Sequence, residues 1–133
     1  MRKIIDKWEK VINKKIQVIV EPGRFIVADC GTLLCTVTAW KKTPEKTFLG
    51  TDTGFSQLIR PALYGAHHEI INFMSDEKPD KRATVCGNIC ESSDILGANM
   101  NITGKIGDIL GIENAGAYSF SMSSNYNERP KPA

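Results

Sequence analysis

No apolar run in this chain approaches the roughly 20 residues needed for a helix to cross a bilayer, so no membrane segment is expected. The start, Met1-Arg2-Lys3-Ile4-Ile5-Asp6, lacks the apolar centre of an export signal. A cytoplasmic protein with reduced thiols is the expectation, and a disulfide framework is not. Charge of one sign is not in excess: 17 basic and 15 acidic residues are interspersed, for a net charge of +2. Such a balance offers no stripe for nucleic acid or an anionic membrane. Cysteine and histidine are scarce and poorly spaced for metal. Cys30 and Cys35 are five apart, Cys86 and Cys90 four apart, and the only histidines, His67 and His68, are adjacent. Neither cysteine gap is that of a zinc knuckle, so structural zinc is not expected. What remains is 133 residues with 41% hydrophobic and 24% charged content, which is the make-up of one soluble globular domain with a real core.

Along the chain, Ile4, Ile5, Trp8, Val11 and Ile12 recur at helical spacing over residues 4–14. Ile16-Gln17-Val18-Ile19-Val20 reads as a strand buried on both faces. Pro22 and Gly23 then force a turn, and Phe25 to Ala28 suits a helical turn. From Gly31 the texture changes to strand formers. Leu33, Cys35, Val37 and Ala39 are expected on one face of a strand reaching Trp40, followed by a loop over 41–46 and a strand over 47–51. Pro61 fits a turn or the first turn of a helix. Strands are expected over 68–73, 84–86 and 109–112, with a solvated hairpin turn over 75–82 and loop over 96–107. Serine and asparagine crowd 119–127, and Arg129-Pro130-Lys131-Pro132-Ala133 reads as the entry to a further strand.

Chemistry concentrates in a few stretches. Cys90-Glu91-Ser92-Ser93-Asp94 sets a thiol beside a carboxylate directly after Gly87-Asn88-Ile89, where a strand is expected to end in a tight turn. Free cysteine usually packs as a small hydrophobe, so a thiol in an acidic loop points to function. Glu21-Pro22-Gly23-Arg24 ends a strand with a glycine that admits close approach of a ligand and an arginine whose fork suits carboxylate or phosphate. Arg60 and Tyr64 are one helical turn apart. Taken alone, Tyr64 reads as a packing residue. His67 and His68 should point to opposite faces of a strand, and neither is expected to be catalytic.

Together these stretches resemble, in order, the C-terminal part of the fold-type III pyridoxal-phosphate-dependent decarboxylases, the ornithine/diaminopimelate/arginine family. The resembling motifs are Glu21-Pro22-Gly23-Arg24, Asp52-Thr53-Gly54, Arg60-Pro61-Ala62-Leu63-Tyr64, Gly87 to Asp94, Gly107-Asp108, and Gly116-Ala117-Tyr118 with Met122 to Asn127. The resemblance implies a mainly β fold. Residues 29–133 would be the family's C-terminal β-barrel/sandwich domain, truncated before its last strand. Residues 1–28 would be a remnant helix and strand of the N-terminal α/β barrel. It also implies pyridoxal phosphate as cofactor, and dimers whose active sites lie between subunits. By motif, Glu21, Pro22, Gly23 and Arg24 resemble the turn holding the cofactor phosphate, with Arg24 also reaching a substrate carboxylate. Arg60 and Tyr64 resemble substrate-binding residues, and Tyr118 a residue beside cofactor and substrate. Cys90 resembles a proton donor delivered across the dimer interface, and Glu91 the reader of the substrate's distal amino group.

The chemistry agrees with these roles. A carbon that has lost its carboxylate needs a proton, which a thiol can supply. A carboxylate nearby favours the protonated form of a thiol, and arginine grips carboxylates bidentately. Glutamate at 91, where ornithine- and arginine-type relatives usually carry aspartate, favours the diaminopimelate branch, with meso-2,6-diaminopimelate as substrate and L-lysine as product. No stretch resembles the barrel's cofactor lysine or its glycine-rich phosphate loop, so the expectation is a chain inactive alone that needs a complementing barrel. The alternatives are a non-catalytic interaction or regulatory partner of a full-length decarboxylase, or a fragment of an ornithine, arginine or carboxynorspermidine decarboxylase.

Overall fold

Alternating apolar side chains and β-branched residues make most of this chain a set of strands. The computed structural model describes residues 1–132. It opens with helix α1 (Arg2–Ile12) and a short helix α2 (Gly23–Val27) that runs into a 3-10 turn over Ala28–Cys30. Strands β1 (Leu33–Lys42) and β2 (Thr47–Thr51) follow, then helix α3 (Arg60–Tyr64). Strands β3 (Ile70–Asn72), β4 (Lys81–Cys86), β5 (Ile95–Ile102) and β6 (Ile109–Ile112) complete the fold before a last 3-10 turn, Tyr126–Glu128. Among the described residues no helix is long and apolar enough to cross a membrane.

The six strands form one sheet in the order β3-β6-β1-β2-β4-β5. Every pairing is antiparallel except that of β2 with β4. The two end strands come together: Ile70 Cδ1 lies 3.3 Å from where a Cβ on Gly97 would stand. Asn72 Nδ2 donates to the Thr103 carbonyl, just past β5, at 3.2 Å. The sheet therefore curls like a barrel around a core of Cys35, Val37, Leu49, Leu58, Ile70, Ala83, Val85, Leu96, Ile102, Leu110 and Ile112. A mainly β domain is what the sequence led us to expect.

Four expectations are corrected. Residues 16–20 form no strand, because a strand needs a ladder partner and none of the described residues supplies one; Val18, Ile19 and Val20 stay exposed. Residues 75–82 are no hairpin turn, since β3 pairs with β6 and β4 pairs with β2 and β5. Residues 96–102, within the stretch read as loop, belong to strand β5: pairing with β4 outweighs the weak propensity of its glycine and asparagines. The alternation along β1 breaks at a bulge between Val37 and Ala39, which leaves Ala39 exposed and turns Trp40 onto the core. The Trp40 indole N–H donates to the Gly104 carbonyl at 3.0 Å. The tail over 129–132, read as the entry to a missing strand, carries no strand of its own, and Ala133 lies outside the described residues.

Cys35 provides a test of the core. Burial, helped by the nearby Asp52 carboxylate, pushes its thiol from 9.0 up to about 12. The unfolded chain loses this proton above about pH 9 while the folded chain keeps it, so stability should fall as pH rises from about 9 towards 12. The loss attributable to one thiol is at most about 1.4 kcal/mol per pH unit. Urea titrations of the wild type and Cys35→Ala between pH 8 and 11 should diverge in slope. Parallel slopes would show that the thiol is not protonated by the core.

Candidate active site

Cys90 and Glu91 sit in the tight connection from β4 to β5, and Asp94 organises that connection. Gly87 N–H donates to the Asp94 carbonyl at 3.0 Å, and Asp94 N–H to the Glu91 carbonyl at 3.1 Å. The Asp94 side chain is buried, 2% exposed. Its Oδ1 accepts the Phe55 N–H at 2.7 Å and its Oδ2 the Ile89 N–H at 3.1 Å. Cys90 is exposed at the apex, a free thiol. The Glu91 Oε1 accepts from Ser93 Oγ at 3.1 Å, Ser93 N–H at 3.2 Å and Ser92 Oγ at 3.3 Å. The Ser93 main-chain N–H, followed by its hydroxyl, holds the Glu91 carboxyl below its ordinary range, so it is an anion at neutral pH.

The tail straps the turn that faces this loop. Gln57 Oε1 accepts the Gly54 N–H at 3.1 Å, while its Nε2 donates to the Pro130 carbonyl at 2.8 Å. Asn88 Nδ2 donates to the Asp52 carbonyl at 2.7 Å, and Arg129 Nη2 to the Asn88 carbonyl at 2.9 Å. Phe55 and Tyr126 stack edge to face, with centroids 5.7 Å apart.

A second group forms around α2 and α3. Pro22 caps α2, and its carbonyl accepts the Phe25 N–H at 2.8 Å. The 116–118 turn docks on α2 and the 3-10 turn through Gly116 N–H to the Ala28 carbonyl at 2.9 Å and Ala115 N–H to the Gly31 carbonyl at 2.8 Å. A Cβ on Gly116 would strike the Val27 carbonyl, so only glycine lets the segments meet this closely. That docking sets the Tyr118 hydroxyl over Gly23, 2.7 Å from where a Cβ would stand. Tyr118 itself has a left-handed backbone, φ 63°, a conformation a bulky residue adopts only under local constraint. Pro61 starts α3, and Gly65, at φ 61°, ends it with its N–H on the Pro61 carbonyl at 3.0 Å. The Arg60 guanidinium lies over the Tyr64 ring, 5.4 Å from its centroid.

His68 lies in the second group, which sequence reasoning did not foresee. It is 1% exposed, and its Nδ1 lies 2.8 Å from the Glu113 carbonyl, a bond that only an Nδ1–H can make. Burial lowers its pKa first, and the charges of Arg24 and Arg60 lower it further. The ring is thus neutral at neutral pH. His67 is exposed, so the adjacent pair does face opposite ways. The Nε atoms of Arg24 and Arg60 are buried without a hydrogen-bond partner among the described residues. Glu21 is exposed.

The structure therefore brings Gly23 to Tyr118 and Arg60 to Tyr64, and sets Arg24 and Arg60 within electrostatic reach of His68. Among the described residues no hydrogen bond or ion pair joins Cys90 or Glu91 to that group. Asp94 was legible only as a second carboxylate in an acidic loop. The backbone donors it engages come from the fold.

Residues 10–116 match the family described as pyridoxal-dependent decarboxylase, C-terminal sheet domain. The chain is 47% identical over 116 residues to a diaminopimelate decarboxylase of Methanothermobacter thermautotrophicus, covering 86% of this chain and 27% of that protein. It is 41% identical over 144 residues to the diaminopimelate decarboxylase of Buchnera aphidicola subsp. Baizongia pistaciae, covering 97% of this chain and 33% of that one. Its fold superposes with a TM-score of 0.80 on the crystal structure of diaminopimelate decarboxylase from M. jannaschii in co-complex with L-lysine, at 39% identity over 97% of this chain and 30% of that one. The chain thus spans about a third of the length of the relatives it matches.

Proposed function

Because this chain belongs to the pyridoxal-dependent decarboxylases through their C-terminal sheet domain, we propose that it is the sheet domain of a diaminopimelate decarboxylase, releasing carbon dioxide from meso-2,6-diaminopimelate to leave L-lysine. The 47% identity to an enzyme of that name over 86% of the chain carries the reading. Residues 29–133 are the sheet domain, and residues 1–28 are a helix and an extended segment that join a barrel outside these residues. The exposed apolar side chains of Val18, Ile19, Val20, Phe25 and Ile26 support this division, since contiguous exposed apolar surface marks an interaction site.

The α2 group fits pyridoxal phosphate. Gly23 leaves a cradle under the Tyr118 hydroxyl, and Arg24 has a buried donor without a partner among the described residues. These residues, with Glu21 and Pro22, would hold the cofactor, whose phosphate suits a guanidinium. When bound, pyridoxal phosphate supplies the electron sink that makes loss of carbon dioxide accessible. Arg24 and Arg60 bind the substrate's carboxylates, and Tyr64, gripped by the Arg60 guanidinium, orients them. Cys90 gives a proton to the substrate carbon that has lost its carboxylate. The Glu91 anion reads the distal ammonium. Cys90 and Glu91 serve the site of a second subunit in a homodimer; the lack of any hydrogen bond or ion pair joining them to the arginine group, among the described residues of one chain, supports this reading.

No residue here resembles the cofactor lysine, so the barrel must be supplied from outside these 133 residues. The test is to mix this chain with a barrel portion, carrying that lysine, from one of the decarboxylases it matches. Carbon dioxide release from meso-diaminopimelate is expected only from the mixture. A co-eluting complex inactive on meso-diaminopimelate, ornithine and arginine alike would overturn the reading.

A further inference from the structure

Two glycines of this chain, Gly54 and Gly87, are used for space rather than for conformation. Neither has a positive φ. A Cβ on Gly54 would stand 2.5 Å from Asp94 Oδ1, and one on Gly87 would strike both Asp94 oxygens. The two glycines form the walls of a slot that holds the Asp94 carboxylate at 2% exposure. A carboxylate taken out of water is costly unless its oxygens are hydrogen-bonded. Here each oxygen takes one main-chain N–H from a different turn: Phe55 at 2.7 Å and Ile89 at 3.1 Å. Ile89 directly precedes Cys90, and its carbonyl accepts the Glu91 N–H at 2.9 Å. Any shift of Ile89 is therefore passed to the thiol and to the Glu91 main chain within one residue.

We propose that Asp94 is the positioning residue of the Cys90–Glu91 loop, its buried carboxylate clamping the 52–57 turn to the 87–94 connection and so fixing where thiol and carboxylate emerge. The role assigned to the loop rests on the decarboxylase reading, whereas the clamp itself does not. The two oxygens act as acceptors only, and the slot is built for that. An amide in the same place presents one acceptor and one donor, so it can satisfy only one of the two N–H groups. The other N–H then faces an NH2 group, and the two turns part on that side. The tail bonds from Arg129 to Asn88 and from Gln57 to Pro130 brace the same two segments from outside, so the domain as a whole tolerates a loosened clamp.

Asp94→Asn in the full chain tests this. Amide exchange at Phe55 or Ile89 should quicken by about tenfold or more, the expected consequence of losing a hydrogen bond to a charged group. Exchange at the core amides of β1 and β6 should not quicken in step. The alkylation rate of Cys90, read in a Cys30→Ala background because Cys30 is the other exposed thiol, should change several-fold. Unchanged rates at all three positions would overturn the proposal. So would a uniform acceleration that also includes the core amides, since that is loss of global stability alone. If Asp94→Asn does not fold, Gly54→Ala keeps the carboxylate but displaces Oδ1, and the same readings decide. None of these measurements uses substrate or cofactor, so they can succeed while the complementation assay fails, and the reverse. In a complementing mixture, Asp94→Asn should lower kcat through Cys90 and raise KM through Glu91. A loss confined to one of the two would contradict a shared positioning role.

Discussion

Replacing Cys90 by serine is expected to lower turnover of the barrel-complemented protein by about 10²- to 10⁴-fold, the usual worth of a positioned proton donor. The cofactor's absorbance should barely change, because Cys90 lies on the β4–β5 connection and not among the residues that would hold the phosphate. The substitution should also leave stability nearly untouched. Cys90 is exposed, and surface changes away from caps and cores are usually small. A serine hydroxyl fills much the same space but gives up its proton far less readily, so the loss should fall on kcat with KM nearly constant. Stopped-flow absorbance with a carbon dioxide assay would check both. A full-rate serine variant would remove Cys90 from the proton-donor role.

The second large effect concerns Glu91. Glu91→Ala should raise the KM for meso-diaminopimelate by about tenfold to a hundredfold, the range for losing a hydrogen bond between charged groups. An analogue lacking the distal amino group should lose nothing. The carboxylate is already oriented by Ser92 and Ser93, and it is held below its ordinary pKa chiefly by the Ser93 N–H. It therefore meets the ammonium as an anion, without rearranging first. Steady-state kinetics on the two substrates decide the matter. An equal loss on both would mean that Glu91 supports the loop and does not read the distal amine.

Local chemistry was largely readable from the chain. Pro61 marks the first turn of α3, and the apolar alternation of Leu33, Cys35 and Val37 marks the start of β1. The misreadings all turn on which segments pair in the sheet. The glycine and asparagines of 95–102 have weak strand propensity, and only the ladder with β4 makes that segment β5. The run at 16–20 has strong propensity and no ladder, so it forms no strand. The segment at 75–82 looked like a turn between neighbours, yet β3 and β4 lie at separate places in the sheet. Propensity is a weak prior when pairing decides.

The sequence by itself determined the family, through its resemblance to an ordered set of motifs whose residue types suit their chemistry: a glycine where a ligand approaches, arginines for carboxylates, a thiol next to a carboxylate. It also determined that Cys90 stands at the apex of a tight connection. The tertiary structure alone decided how that apex is held. Asp94 reaches the N–H groups of Phe55 and Ile89 because Gly54 and Gly87 leave it room, and no spacing in the chain reveals that slot. Likewise His68 read as an idle strand residue until burial and the charges of two arginines made it a neutral member of their group. Side-chain identity is written along the chain, whereas hydrogen-bond partners and electrostatic neighbours are set by which turns the sheet brings together.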